Sequence, residues 1–336
     1  MPVRERFAAI GRPLTVIVVV ATILGLTGGV ATANEFVVRC FYDHSLADDP
    51  IVFPGQPGAS HAHDFFGNTS TDAGSTYDSM VNNSNAPATS CIVATDTAAY
   101  WAPQALLGGA PLPYTHDSNG DVRAYYLNEP KSGAVAHFPR DLQMIAGSSR
   151  ATAPLPVSQV MWFCGANPAY STPYATHPYN CDPYRKSVTS GGNGFCGPNG
   201  CPFVTGVVVR LQFARCWDGS SAALGHMTYT ARQTCLSMSG HQWLPLVSVR
   251  FHLGMLNPCY NGAVHCTATD APDSNIALSF SSGAYYSVHA DFWNTWQQQA
   301  VDDFVDNCLQ PGTLSCGFLP RQQPIRRPLR LTAAGN

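Results

Sequence analysis

Two short polar pairs, far apart in the sequence, combine residue types that can hold a metal ion or move a proton. His61 and His63 lie in the segment GASHAHDFFGN, and His289 and Asp291 lie in SVHADFW. Residues i and i+2 of an extended chain point to the same side, so each pair can direct two side chains into one pocket. Three imidazoles and a carboxylate form a credible shell for Zn²⁺, Mn²⁺ or Cu²⁺. The predicted ligands are His61, His63 and His289, and one divalent metal ion is the candidate cofactor.

The same histidines have two other interpretations, and the sequence leaves all three open. Together with Tyr and Arg, they could act as acid and base in an eliminating glycan lyase. They could also form a structural brace in which each imidazole hydrogen-bonds nearby backbone. The Glu that follows His-x-His in metal-binding cupins is absent, and Phe65 follows Asp64 where a metallo-β-lactamase has His.

Carboxylates are scarce for an ordinary glycosidase, which needs two of them in fixed positions. The chain has three Glu, and only Glu129 lies away from the N-terminal region. An acid/base pair would therefore depend on aspartates. Four aspartates have suggestive contexts: Asp64, Asp96, Asp218 and Asp291.

The candidate site residues fall into two groups. The predicted catalytic residues are His61, His63, His226, His289 and Asp291. The predicted substrate-binding residues are Tyr100, Trp101, Arg123, Arg250 and His252. Aromatic rings can stack on sugars and Arg can neutralise a carboxylate, although both residue types also brace loops and cores in β-proteins.

The first 33 residues have the layout of a secretory signal peptide. Three arginines precede an apolar run of 13 residues from Leu14 to Leu26, and small residues end at Ala33. As a helix this run spans about 20 Å, which is short of the roughly 30 Å of a bilayer core. A signal peptide with cleavage before Asn34 is therefore predicted rather than a membrane anchor. No later segment is apolar enough to span a membrane, so the mature chain is expected to be secreted.

All 12 cysteines follow the predicted cleavage site. An even number of cysteines in an exported chain predicts disulfides, and the lack of any Cys-x-x-Cys pair disfavours zinc thiolate sites. The candidate pairs are Cys196–Cys201, Cys259–Cys266 and, less locally, Cys216–Cys235.

The mature body is acidic, while its C-terminal tail is basic. Between the leader and Gly317 lie 11 basic and 20 acidic residues, a net charge of −9. Such a body is not expected to bind nucleic acid by counterion release, and it disfavours a strongly acidic glycan as ligand. Residues 317–336 carry four Arg and no acidic residue, and this Pro/Arg-rich tail is predicted to be disordered.

Scattered Pro and Gly residues predict many short strands joined by turns. The segments TGVVVRLQFA and LVSVRFHL alternate apolar and polar residues, and AYYSVHADFW places His289 and Asp291 on one polar face. Apolar residues at helical spacing predict a helix over 293–305, capped near Asp291 and followed by Cys308. Residues 170–202 are predicted to form a long, disulfide-pinned loop.

Several longer motifs follow one another between Asp49 and Cys308. They are DDPIVFPGQPGASHAHDFFGN, TSCIVATDTAAYWAPQAL, RLQFARCWDG, GHMTY, CLSMSGHQWLPLVSVRFHL and SGAYYSVHADFWNTWQQQAVDDFVDNC. In this order they resemble the DUF1996 family of secreted fungal and bacterial proteins. The resemblance implies these signature positions: His61, His63, Asp96, Tyr100, Trp101, Asp218, His226, His241, His289, Asp291 and Trp296.

The family has no generally agreed activity. Its fungal members are often joined to wall-associated sugar-binding modules, and the resemblance therefore implies a glycan context. The chain departs from the family pattern in CWDGSS, where Lys usually follows Asp-Gly, and before His241, where Cys-Pro is usual.

We therefore expect an all-β, disulfide-stapled β-sandwich of jelly-roll type, with long loops and a C-terminal helix, as a single domain over 34–316. The expected function is recognition or cleavage of an extracellular or cell-wall polysaccharide, at a cleft where the predicted catalytic residues converge. A non-catalytic wall-binding or structural protein is the alternative, and a secreted metal scavenger is a third hypothesis.

Overall fold

A computed structural model of the chain describes residues 34–82, 89–112, 121–129, 133–164, 207–254, 278–313 and 316–318. All of these belong to one compact unit, Ala33–Asn336. The predicted signal peptide, the loop over 170–202 and the cysteine pairs Cys196–Cys201 and Cys259–Cys266 lie outside the described residues. The extent of the domain, 34–316, therefore stays a prediction.

The described part of the chain is built mainly from strands. In chain order they are β1 (Asn34–Leu46), β2 (His63–Gly67), β3 (Ala99–Pro103), β4 (Ala105–Leu107), β5 (Ala110–Pro111), β6 (Asp121–Asn128), β7 (Gln143–Gly147), β8 (Val160–Cys164), β9 (Val207–Gln212), β10 (Cys216–Trp217), β11 (Met227–Thr228), β12 (Gln242–Trp243), β13 (Leu246–Gly254), β14 (Leu278–Phe280), β15 (Gly283–Ala284), β16 (His289–Trp293) and β17 (Gly317–Phe318). The helices are α1 (Tyr77–Val81), α2 (Arg232–Ser237) and α3 (Gln298–Phe304), with a 3₁₀ turn at Tyr285–Ser287 and a π-helical turn at Val305–Leu309.

Strand β1 belongs to two sheets. Its residues 34–41 pair with β6, and its residues 42–46 pair with β2 after a register shift between Tyr42 and His44. The strand order through both sheets is β7-β16-β3-β2-β1-β6-β13-β9-β8. We call β6, β13, β9, β8 and the first part of β1 sheet 1, and we call β2, β3, β16, β7 and the second part of β1 sheet 2.

The strands alternate between a core face and an outer face, as the sequence pattern predicts. In β13, Val247, Val249 and Phe251 are buried in the core, and the intervening Ser248 and Arg250 lie on the outer face of sheet 1. The core lies between the two sheets, where Tyr126 of β6 meets Phe292 of β16 at 6.4 Å between ring centroids. The expected all-β sandwich is therefore confirmed.

Three disulfides staple the described residues, and no free cysteine occurs among them. They join Cys40 to Cys91, Cys216 to Cys235, and Cys308 to Cys316. The Cys216–Cys235 prediction is thus confirmed. These six sulfurs are not available as thiolate metal ligands.

The C-terminal helix exists, but its predicted start is wrong. Helix α3 begins at Gln298, whereas Asp291 and Trp293 lie in β16 with their backbones paired to β3 and β7. The strand predicted for AYYSVHADFW is also shorter, because Tyr285–Ser287 form a 3₁₀ turn. Trp293 lies at helical spacing from the buried residues of α3 only because the buried strand β16 ends shortly before this helix begins.

The ordered chain continues beyond the predicted start of the tail. Gly317 and Phe318 form β17, which pairs in parallel with Phe36 and Val37 of β1. Residues 319–336 lie outside the described residues. In the part of the chain that the structure describes, no helix is both long and apolar enough to cross a membrane.

Candidate metal centre

Three histidines come together on the outer face of sheet 2. His63 lies in β2, His289 lies in β16, and His61 precedes β2 at the end of the long β1–β2 connection. This connection and α1 cover the face, where Ile51 and Met80 pack on an apolar cluster that includes Trp101. The cover leaves His61 partly exposed, while His63 and His289 are 0% and 3% exposed.

The imidazole nitrogens converge at a spacing that suits one metal ion. The Nε2 atom of His289 lies 3.3 Å from Nε2 of His61 and 3.3 Å from Nε2 of His63. One ligand nitrogen from each residue lies within 4.8 Å of the other two. Two nitrogens bound tetrahedrally to Zn²⁺ at 2.0–2.1 Å would be about 3.3–3.4 Å apart.

Backbone carbonyls fix the orientation of two of the rings. Nδ1 of His63 donates to the Asp48 carbonyl oxygen at 2.8 Å, and Nδ1 of His289 donates to the Ser287 carbonyl oxygen at 3.0 Å. A carbonyl oxygen only accepts, so Nδ1 carries the hydrogen and Nε2 keeps its lone pair. A second hydrogen bond of this kind is how proteins orient histidine ligands toward a metal.

The backbone around these rings is itself held in place. The Ala62 carbonyl oxygen, between His61 and His63, accepts from Gln104 N and from Ser281 Oγ. The Asp48 carboxylate accepts from Gly58 N at 2.8 Å, where a positive φ of 74° favours glycine. The positions of the three rings therefore rest on several independent contacts of the sheet and the covering segment.

Burial keeps the three rings neutral. It lowers the pKa of His61, and it lowers the pKa of His289 to about 4. The pKa of His63 is held well below its ordinary range by burial, with smaller contributions from His61 and His289. Neutral imidazole is the form that binds metal ions.

A buried carboxyl group lies beside the three rings. Asp291 is 0% exposed, neither of its oxygens has a hydrogen-bond partner among the described residues, and Oδ2 is 3.9 Å from His289 Nε2. Burial, reinforced by the nearby Asp49, raises the pKa of Asp291 well above its ordinary value. An unpaired carboxyl at this depth is costly unless a cation or an ordered donor compensates it.

The structure does not bring His226 into this group. Its Nδ1 lies 2.8 Å from Asp218 Oδ2 and 3.0 Å from Ser220 Oγ, next to the short strands β10 and β11. Of the five catalytic candidates, His226 therefore pairs with Asp218 rather than with the three-histidine group.

Tyr100 and Trp101 are core residues and offer no surface for sugar stacking, because both are 0% exposed. Tyr100 points between the sheets, where its hydroxyl donates to Asp96 at 2.9 Å. Trp101 faces the other way, beneath the covering segment. Burial raises the pKa of Asp49 nearby, and the Trp101 ring opposes that rise only in part. Trp101 Nε1 has no acceptor in hydrogen-bonding geometry among the described residues.

Arg123, Arg250 and His252 lie on the opposite side of the sandwich, on the outer face of sheet 1. Arg123 is in register with Arg39 on one neighbouring strand and with Arg250 on the other. Arg250 donates to the Tyr125 hydroxyl at 3.0 Å. His252 is buried, and burial lowers its pKa to about 4. These residues therefore do not line a cleft with the three histidines.

Sequence reasoning missed the polar groups around the three histidines. Two of them are the backbone carbonyls of Asp48 and Ser287, which have no signature in the residue types. Asp49 was also missed, although it follows Asp48 directly and caps the backbone of Ile51 and Val52.

Comparison with protein families identifies the chain. The model of DUF1996, described as a domain of unknown function, matches residues 49–296. The chain belongs to the DUF1996 family. The matched range contains the three histidines and Asp291, and it ends before α3 begins. No curated protein and no solved structure matches the chain of this DUF1996 member.

Proposed function

We propose that this DUF1996 protein is secreted and recognises or cleaves an extracellular polysaccharide with the help of one divalent metal ion. The ligands are His61, His63 and His289. The observation that carries the proposal is the approach of Nε2 of His61 and Nε2 of His63 to within 3.3 Å of Nε2 of His289.

A metal ion explains this approach better than hydrogen bonding does. His63 and His289 both use their Nδ1 hydrogens on backbone carbonyls, so their Nε2 lone pairs face each other. Two lone pairs at this distance repel unless a proton or a cation lies between them. Burial disfavours a protonated ring here, whereas a bound cation uses all three lone pairs at once.

The burial of the three histidines supports one direction of approach for a substrate. Three histidine ligands leave a further coordination position, as in catalytic zinc sites. When bound, the ion would supply Lewis acidity or an activated water. His61 is the partly exposed ligand, so the accessible side of the centre lies at His61 and its closed side lies at His289 and Asp291.

Secretion and the polysaccharide substrate rest on other observations. The predicted signal peptide and the oxidised cysteines support export. The glycan context comes from the family resemblance, and the acidic body disfavours nucleic acid as a partner.

A non-catalytic wall-binding or structural role is the second candidate. It is favoured by the depth of the centre, because His63 and His289 are almost completely buried. In that case the ion would hold β2, β16 and the covering segment together without turnover.

Elemental analysis of the purified, untagged protein tests the metal centre. We expect one Zn²⁺, Mn²⁺ or Cu²⁺ per chain, lost in the His61→Ala, His63→Ala double variant and retained in His226→Ala. His226 is a matched control because it is a histidine outside the three-ring group. Wild-type protein that binds none of the three metals contradicts the proposal.

A polysaccharide screen then separates catalysis from binding. Metal-loaded protein is incubated with neutral and acidic wall polysaccharides, and new reducing ends and unsaturated products are measured. Turnover that the double variant lacks supports an enzyme. Polysaccharide binding without turnover supports the wall-binding role, and neither binding nor turnover on any wall glycan contradicts a polysaccharide function.

A further inference from the structure

Resting on the metal centre proposed above, we propose that His61 is the exchangeable ligand of the ion and regulates access to it. His63 and His289 hold the ion throughout, whereas the His61 ring leaves when an external ligand takes its coordination position. The three histidines therefore have unequal roles, although they are the same residue type.

The first observation is that only two of the three rings are anchored through their second nitrogen. Nδ1 of His63 and Nδ1 of His289 each donate to a backbone carbonyl oxygen. Nδ1 of His61 has no hydrogen-bond partner among the residues that the structure describes, and this ring approaches the group only through Nε2. Loss of such an orienting partner typically lowers metal affinity by about 10–100-fold, so His61 is the weakest of the three ligands.

The second observation concerns the backbone that carries each ring. His63 and His289 lie in strands of sheet 2, and His289 is in register with Gly147 of β7. The two strands are so close there that a Cβ at Gly147 would lie 2.8 Å from the His289 Cα. His61 lies outside the strand pairing, directly after the exposed residues 54–59 of the β1–β2 connection. Its ring is therefore the one whose movement disturbs no strand pairing.

The third observation is the difference in burial. His63 and His289 are 0% and 3% exposed, whereas His61 is partly exposed. A released His61 ring regains contact with water, but release of a buried ring would leave an unsatisfied nitrogen in the interior, which is costly. An external ligand that approaches from solvent thus meets the one ring that can give way.

Metal affinities of single variants test the inference without any activity assay. His61→Ala and His63→Ala are a matched pair, because each removes one imidazole from the same short segment. Competition with a chromophoric chelator measures their Zn²⁺ affinity. We expect a loss of about tenfold in His61→Ala and of more than about 100-fold in His63→Ala. Losses of equal size, or a larger loss in His61→Ala, overturn the inference.

Wild type alone provides a second test if His63→Ala does not fold. Zn²⁺-loaded protein with ¹⁵N-labelled histidine is titrated with free imidazole, and the ring nitrogen chemical shifts report which residues stay bound. The Nε2 signal of His61 should move to its metal-free position, while those of His63 and His289 keep their metal-bound positions. A His61 signal that stays metal-bound at the highest imidazole concentration overturns the inference, as does release of all three rings together.

The two tests separate failure of this inference from failure of the metal centre. Wild-type protein that binds none of Zn²⁺, Mn²⁺ and Cu²⁺ contradicts the centre itself. A centre that binds its ion and holds all three rings equally contradicts only the exchange of His61.

Discussion

The two outer faces of the sandwich treat buried charge in opposite ways. On sheet 1, Asp121 lies 2.6 Å from Arg39 and 3.3 Å from Arg123, so its charge is compensated within the protein. On sheet 2, Asp291 has no donor among the described residues, and three imidazole nitrogens point at one another. The buried carboxylate of the first face is therefore compensated by arginines, whereas the polar groups of the second face would be compensated by the cation that we propose.

This contrast separates two kinds of polar cluster that look alike in a sequence. Arg250, His252 and Asp291 all occur in alternating segments with chemically capable side chains. Arg250 stacks on the Tyr125 ring at 3.8 Å, which is an ordinary way to pack an arginine on a sheet. A candidate site is indicated where several unsatisfied polar atoms converge on one point, as the three histidine nitrogens do, rather than by residue type.

The largest expected effect distinguishes the two faces by metal binding. His289→Ala removes the ring whose Nε2 lies nearest to both others, and we expect metal affinity to fall by more than about 100-fold. His252→Ala changes a buried histidine on sheet 1 and should leave the affinity unchanged. Competition with a chromophoric chelator measures the metal affinity of both variants. Similar losses of affinity in the two would show that the metal site is not confined to sheet 2.

The acid sensitivity of sheet 1 provides the next largest effect. The pKa of His252 is lowered from 6.5 to about 4, mainly by burial, with Arg123 and Arg250 adding to the lowering and Asp121 opposing it. As pH falls from 6.5 toward 4, the unfolded chain takes up this proton before the folded chain does. Stability that is fully present above pH 6.5 is therefore lost, by up to about 3 kcal/mol.

Urea unfolding between pH 7 and pH 4 measures this loss. In His252→Gln the free energy of unfolding should decline less than in wild type, by that amount. The difference between the two proteins should be the same with and without added Zn²⁺. A decline that matches the wild-type decline at every pH would show that His252 does not titrate as described.

Neutralising one carboxylate on each face should change stability in opposite directions. Asp121→Asn removes the charge that compensates Arg39 and Arg123, and we expect a loss of about 2 kcal/mol, moderated by the partial exposure of both arginines. Asp291→Asn in metal-free protein removes an unpartnered buried carboxyl, and we expect a gain of about 1 kcal/mol. Urea unfolding in the presence of a chelator checks both; a loss in both variants would show that Asp291 has a compensating partner.

The smallest expected effect concerns Arg250 on sheet 1. Arg250→Lys keeps the charge but loses the planar contact with the Tyr125 ring and the fixed hydrogen bond to its hydroxyl. We expect a loss of about 0.5–1 kcal/mol in urea unfolding, with metal content unchanged. Altered metal content would show that the two faces are coupled.

Local patterns in the sequence predict the fold well. Period-2 alternation identifies β9 and β13, because one face of each strand is buried and the other is polar. The same argument fails for Trp293, whose helical spacing to Trp296 arises because β16 ends just before α3. Two adjacent buried elements can imitate one helix when both contribute large apolar residues.

The candidate site is only partly predictable. The i, i+2 spacing directs His289 and Asp291 to one side of a strand, and this follows from backbone geometry. The approach of His61 to His289 depends on which strands neighbour each other, and that information is not local. The burial of Tyr100 and Trp101 is non-local for the same reason, since adjacent residues in a strand face opposite ways and both faces of β3 are covered.

The sharing of β1 between two sheets has a consequence for how the protein folds. Its partners come from residues 63–66, 121–128 and 317–318, so its pairing is complete only when nearly the whole described chain is present. Such long-range pairing slows folding, because the chain loses conformational entropy in bringing distant segments together before their contacts stabilise it. The pairing of β1 is therefore expected to be completed late, after nearly the whole described chain has been made. For the secreted protein proposed above, this delay would keep the chain unfolded until it has crossed the membrane.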